Sequence, residues 1–151
     1  MPSRKRKKRS RAKKPSIISL RKKAYRLAQK LARLSQTDKI GYGRCVSCNK
    51  RLHWKKADGG HFIPKKKSAY WALDSKNIHF QCKGCNGFGM RSGIAAQEYT
   101  LWMIEEYGLT EVQKMLKSAG RDAPFMRRRV WLERFIADTN RAIAAELERL
   151  D

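Results

Sequence analysis

A chain of 151 residues with 36 Lys and Arg against 13 Asp and Glu carries a formal net charge of +23. The length admits one compact domain or a small module with helical additions, and no stretch approaches the ~20 apolar residues of a membrane span. A surplus this large is a poor route to solubility, because the chain repels itself; it favours a polyanion, whose condensed counterions are released as phosphates are neutralised.

Residues 1–15 read as a disordered basic tail. Nine of the first fourteen residues are Lys or Arg, beginning Arg4-Lys5-Arg6-Lys7-Lys8-Arg9. Nothing there builds a core, so order waits for an anion, and these cations are the first candidate DNA contacts. A phosphate-binding tail explains them without a nuclear-import address. No apolar run follows the charges, so no secretory signal is read and the expected compartment is the reducing cytoplasm.

Ser16 is a suitable N-cap for a basic amphipathic helix within residues 16–39. Leu20, Ala24, Leu27, Leu31 and Leu34 recur at three- and four-residue steps, with Arg21, Lys22, Arg26, Lys30 and Arg33 on the remaining surface. That stripe is a docking face for the rest of the protein. Gly41-Tyr42-Gly43 breaks the pattern and opens a turn-rich unit, residues 40–107. Within it, residues 51–54 and 60–63 are candidates to pair as a hairpin, and Pro64 with Lys65, Lys66 and Lys67 forms a basic loop, a second set of DNA contacts. A helix is expected from near Cys85.

The C-terminal third is helical, residues 108–151 forming a C-terminal helical region after the core. One helix is expected from Ile94 to Tyr107, ended by Gly108. Thr110 is expected to cap a second, through Lys117. Asp122 is expected to cap a third, with Pro124 in its first turn, and Phe125, Val130, Leu132, Phe135, Ile136, Ile143, Ala144 and Leu147 along it supply apolar surface. Trp102, Met103, Met115 and Trp131 are read as core. The first and last helices both carry apolar stripes that a small core need not cover, which predicts a homodimer; the competing expectation is that the two stripes cover each other.

Cys45-x-x-Cys48 and Cys82-x-x-Cys85 form two knuckles. In a reducing compartment four such cysteines read as zinc ligands before disulfides, since each turn offers two sulfurs to one tetrahedral ion. This spacing is strong for metal and weak for function. Between the knuckles lies Asp58-Gly59-Gly60-His61, and Asn86 follows the last cysteine. The two glycines let the backbone bend or approach another group closely. A neutral His61 imidazole is able to take a proton from water, and the hard oxygens of Asp58 and Asn86 suit Mg²⁺ or Mn²⁺. Taken singly, His61 is more often a structural histidine, Asp58 an ordinary turn residue and Asn86 a helix cap. Together, inside a zinc-clamped unit of a very basic chain, they point to a nuclease. His53 reads as structural; His79 is a further candidate to touch the metal or phosphate.

These residues resemble the HNH, or ββα-metal, endonucleases, in the zinc-stapled branch that includes the phage resolvase endonuclease VII. The closer similarity is to the NinG/Rap recombination nuclease family of lambda-like phages, which carries Asp-x-Gly-His followed by Asn-Ile-His-x-Gln-Cys-x-x-Cys-Asn; here these read residues 58–61 and 77–86. The resemblance covers residues 40–107. It implies an α+β fold whose small zinc-clamped HNH-like core is flanked by N- and C-terminal helices. It also implies His61 as general base, Asn77 as the brace of the loop holding it, Asn86 as a ligand of the catalytic Mg²⁺ or Mn²⁺, and the four cysteines on structural zinc. The implied activity is hydrolysis of branched recombination intermediates, such as Holliday junctions or D-loops, on DNA in the cytoplasm of a phage-infected bacterium. One position departs from the broader HNH pattern: an acidic or histidine ligand usually precedes the base, and here that residue is Gly60, with Asp58 two residues earlier. The rival class is a non-catalytic zinc-ribbon protein that binds nucleic acid and has no need of Asp58, His61 and Asn86.

Overall fold

The computed structural model describes residues 13–150; the tail cations Arg4 to Arg9 lie outside them. The first helix, α1 (Ile17–Ser35), opens on Ser16, whose hydroxyl accepts from the Ser19 amide at 3.1 Å. Two small antiparallel sheets follow. Strands β1 (Tyr42–Arg44) and β2 (Arg51–His53) flank the first knuckle and pair with each other. Strands β3 (Ala57–His61) and β4 (Ile78–Cys82) pair in the register Ala57↔Cys82 through His61↔Ile78. The C-terminal helices are α2 (Met90–Ser92), α3 (Ile94–Tyr107), α4 (Leu109–Lys117) and α5 (Arg129–Glu148). The architecture is α+β.

The hairpin expected between residues 51–54 and 60–63 is therefore replaced by two others. A single 3-10 turn, Trp54–Lys56, directs the chain away from β2, and β3 finds its partner beyond the Lys65–Lys67 loop. His53 caps that turn, its Nδ1 accepting from the Lys55 amide at 3.3 Å. Gly59 and Gly60 are not a bend either. Both lie inside extended β3, while the left-handed glycines are Gly41, Gly93 and Gly108. Gly59 is needed for proximity: a Cβ there would stand 2.6 Å from the backbone oxygen of Gln29 in α1.

Helix α1 thus lies directly on β3, and its Gln29 Nε2 and Arg33 Nη1 donate to the carbonyls of Gly59 and Ala57. On its other flank Leu20, Ala24, Ala28 and Ala32 pack with Met126, Leu132 and Ile136 around α5. The buried row runs through alanines, with Leu27 only partly covered, because small side chains let neighbouring backbones come close. The stripes of α1 and α5 meet within the chain. Arg149, just past α5, donates to the Leu34 carbonyl at 3.0 Å and so closes the end of α1.

The second core gathers Ile63, Trp71, Tyr99, Met103, Val112 and Met115 under the loop and helices α3 and α4. Helix α3 ends where expected, with the Gly108 amide bonded to Ile104 at 2.8 Å. Two expected caps differ. Gly108, not Thr110, precedes α4. Asp122 caps only locally, accepting from the Ala123 amide; a 3-10 turn, Pro124–Arg127, follows, and α5 starts afresh after the extended Arg128. The Met126 carbonyl, which a continuous helix would use internally, instead accepts Arg21 Nε from α1 at 2.7 Å. Val130, expected to supply apolar surface, is exposed.

Because a methyl at position 59 meets backbone on a helix pinned from both sides, Gly59→Ala is expected to cost about 1–3 kcal/mol as overpacking. Denaturant unfolding measures this; parental stability in the variant would show that α1 can retreat from β3.

Candidate metal centre and active site

Cys45 follows β1, Cys48 lies in the turn to β2, Cys82 ends β4, and Cys85 opens a π-helical turn, Cys85–Gly89, leading into α2. The first knuckle closes through the Asn49 amide on the Cys45 carbonyl at 2.8 Å, with Asn49 in the left-handed region. It is tied to the second sheet by the Val46 amide, which donates to Phe80 at 3.0 Å. The second knuckle turns the Cys85 amide onto Cys82 Sγ at 3.4 Å.

All four sulfurs lie within 4.8 Å of one another, and Cys48 Sγ and Cys82 Sγ are 3.8 Å apart. A tetrahedron with Zn–S bonds of ~2.3 Å has edges of about 3.8 Å, so the donor set fits a four-coordinate metal such as zinc. The thiol energetics agree. Burial, reinforced by the neighbouring sulfurs, holds Cys85 far above the ordinary thiol value, and burial pushes Cys45 up. At Cys82 desolvation again opposes ionisation, but the Cys85 amide and the adjacent sulfurs outweigh it and the thiol is lowered. Ionising all four together needs a cation to remove their repulsion.

The same two strands and the turn after them carry the other candidates. Asp58 and Asn86 touch, Asn86 Nδ2 donating to Asp58 Oδ2 at 3.0 Å. Asn86 is adjacent to Cys85, so its backbone is anchored by the knuckle. His61 ends β3 and its Nε2 donates to the Ala72 carbonyl at 2.9 Å. A carbonyl only accepts, so the neutral ring carries its proton on Nε2 and leaves Nδ1 as a base; among the described residues Nδ1 has no partner, and it is not a sealed buried atom. Burial holds the His61 pKa below its ordinary value; the Ala72 bond raises it, and the Lys65 charge lowers it further. The imidazole is therefore neutral at neutral pH.

Asn77 is fully buried and bonds across the loop that follows His61: its Oδ1 accepts from the Ile63 amide at 2.7 Å, and its Nδ2 donates to the Ile63 and Trp71 carbonyls at 3.0 Å each. Lys65, Lys66 and Lys67 stand exposed on that loop, Lys65 lying over the Tyr25 ring.

His79 has a different place from the one expected. It is buried among Tyr99, Trp102 and Tyr107, with both ring nitrogens engaged. The Tyr99 hydroxyl donates to the Gly60 carbonyl at 2.9 Å, so it accepts from His79 Nδ1 at 2.8 Å; Nε2 then accepts from the Tyr107 hydroxyl at 2.9 Å. No lone pair is left for a metal. Instead the ring supports the peptide just before His61, and burial lowers its pKa to about 4. Sequence reasoning missed Gln29 and read Arg33 only as helix surface; both hold the backbone on either side of Asp58, with Arg33 lowered by burial and Asp58 partly compensating. Polar residues on a basic helix carry no sequence signal for this.

The family model described as bacteriophage lambda NinG protein matches residues 2–142 of the chain. No curated protein and no solved structure matches.

Two outcomes follow from these groups. Cys82→Ser is expected to lose stoichiometric bound zinc and to melt at least ~10 °C lower; full zinc content with a parental melting curve would rule out the four-sulfur site. For His79, the folded state keeps the ring neutral while the unfolded chain binds a proton near pH 6.5, so stability present above that pH is lost as pH falls towards 4. His79→Gln removes this term, and the loss of stability between pH 7 and pH 5 should shrink by about 2 kcal/mol. An unaltered pH profile would mean that His79 titrates normally.

Proposed function

The chain belongs to the bacteriophage lambda NinG family, and from that membership and the site geometry we propose that it is a metal-dependent endonuclease with a zinc-stapled HNH-like core, cutting branched DNA. The observation that carries this reading is the pairing of a neutral His61, held by Ala72 with Nδ1 free, with a hydrogen-bonded Asp58–Asn86 pair anchored on the knuckle. Two antiparallel strands and a helical turn present these groups in the order Asp58, His61, Asn77, Asn86, which supports the ββα-metal assignment.

In this reading His61 Nδ1 takes the proton of a water as its oxygen attacks phosphorus, and the bond to the departing 3′ oxygen breaks. A Mg²⁺ or Mn²⁺ held by Asp58 and Asn86 supplies charge stabilisation at the phosphate and the leaving oxygen. Asn77 keeps the carbonyl of Trp71, next to Ala72, in place, and so fixes the ring that Ala72 orients. The exposed Lys65, Lys66 and Lys67 and the tail cations Arg4, Lys5, Arg6, Lys7, Lys8 and Arg9 neutralise DNA phosphates, which gives affinity without sequence preference. Preference for a branch is carried over from the family resemblance.

The experiment is cleavage of a labelled four-way junction with Mg²⁺, and with EDTA, by the parent and by His61→Ala. Cleavage should require the metal and fall at least ~10²-fold in the variant, with junction affinity nearly unchanged. Parental turnover in His61→Ala would refute the assignment of the base. Tight binding with no metal-dependent cleavage by the parent would leave a non-catalytic zinc protein that binds nucleic acid.

A further inference from the structure

We infer that Gln81 supplies a third protein oxygen to the divalent cation assigned above to Asp58 and Asn86, an inference that rests on that assignment. The side chain is fully buried, and its amide has only one consistent orientation. The Ser47 hydroxyl donates to the Ala95 carbonyl at 2.9 Å, so towards Gln81 it only accepts, and its partner at 2.8 Å is Nε2. Oε1 therefore points the other way. Among the described residues it is the one buried side-chain atom with no hydrogen-bond partner. Leaving a buried carbonyl oxygen without a donor is unfavourable, so such an atom calls for an occupant.

Its surroundings say which kind. A Cβ at position 60 would overlap Gln81 Oε1 and lie 3.0 Å from Asn86 Oδ1, so both oxygens converge on the space beside the Gly60 α-carbon. Asn86 turns Oδ1 that way because its Nδ2 is committed to Asp58 Oδ2. Asp58 and Gln81 are direct partners across β3 and β4, and Gly60 follows Asp58 on the same face. Two amide oxygens thus converge beside Gly60, and the Asp58 carboxylate, bonded to Asn86 Nδ2, adds a negative charge on the same face. Hard oxygens in that arrangement match a small divalent cation. The missing side chain at position 60 makes room for an oxygen delivered from the opposite strand.

The test is Mn²⁺ titration of the zinc-loaded full chain without DNA, followed by calorimetry and by the electron paramagnetic resonance of free Mn²⁺. The parent should bind Mn²⁺ and Asn86→Ala should lose it. Gln81→Met, similar in length but without the oxygen, should bind about 10-fold more weakly or worse, with zinc content and circular dichroism unchanged. Gln81→Glu, which adds a charge at the same place, should bind several-fold more tightly. If Asn86→Ala loses Mn²⁺ while Gln81→Met keeps parental affinity, Gln81 is not a ligand and the metal assignment stands. If the parent binds no Mn²⁺, or Asn86→Ala binds like the parent, the assignment fails and this inference with it. Should Gln81→Met not fold, Gln81→Glu decides: affinity equal to or weaker than the parent's overturns the proposal.

Discussion

The antiparallel ladder between Ala57–His61 and Ile78–Cys82 is the constraint on which the rest of the structure depends. Asp58, His61, His79, Gln81 and Cys82 sit on it, Asn77 precedes it, and Cys85 and Asn86 lie in the turn that follows it. Its lower end is tied by Cys82 to the sulfur cluster, and its upper end by Asn77 to the loop after His61. Because side chains alternate along a strand, a slip of one residue would exchange the faces of Asp58 and Gly60 with those of Gly59 and His61. The oxygen cluster would be dispersed, and Gly59 would no longer be opposite Gln29.

Five residue pairs form too small a sheet to hold such a register unaided. It is held from three directions. Helix α1 lies against β3 at the distance a glycine permits and hydrogen-bonds two of its carbonyls. Tyr99, on α3, bonds the Gly60 carbonyl and carries His79 and Tyr107 with it as a chain of hydrogen bonds. The sulfur cluster fastens both sheets at one point, where a metal would contribute folding free energy as well as geometry. Buried polar groups here have defined partners, and Gln81 Oε1 is the exception among the described residues. An unmet acceptor inside an otherwise satisfied network marks a place where function competes with packing.

The outer surface answers a different demand. Lys30 and Lys55 stand beside Trp54, Arg51 over Tyr42 and Arg121 over Tyr70, their cations meeting ring faces. Most of the positive charge is thus kept at the surface, Arg33 being the partly buried exception. The same field reaches the buried site, where Lys65 helps to keep His61 in its neutral form.

Local patterns were legible in the sequence because they rest on local physics. The span of α1 and its Ser16 cap follow from periodicity and one hydroxyl, the end of α3 from Gly108, and the two knuckles from cysteine spacing. The proximity of Asp58 and Asn86 was foreshadowed by their shared association with the knuckles. Which strand pairs with which was not legible, since short apolar runs carry no partner label and the loop from Phe62 to Asp74 separates the true partners. The single role of two glycines in a row was also hidden: one admits the α1 backbone, the other a side chain from the opposite strand, and composition cannot tell these apart. His79 shows the limit most clearly. Its alternation with Ile78 and Phe80 puts it on the face away from them, and helix α3 covers that face as well, so the ring is buried and both nitrogens are spent on tyrosines. The sequence by itself determined the four-cysteine cluster, the limits of α1 and α3 and the basic character, each decided within a few residues or by composition. Only the tertiary structure decided the histidine tautomers, the orientation of Gln81 and the faces that meet, because those depend on hydrogen-bond partners from distant segments.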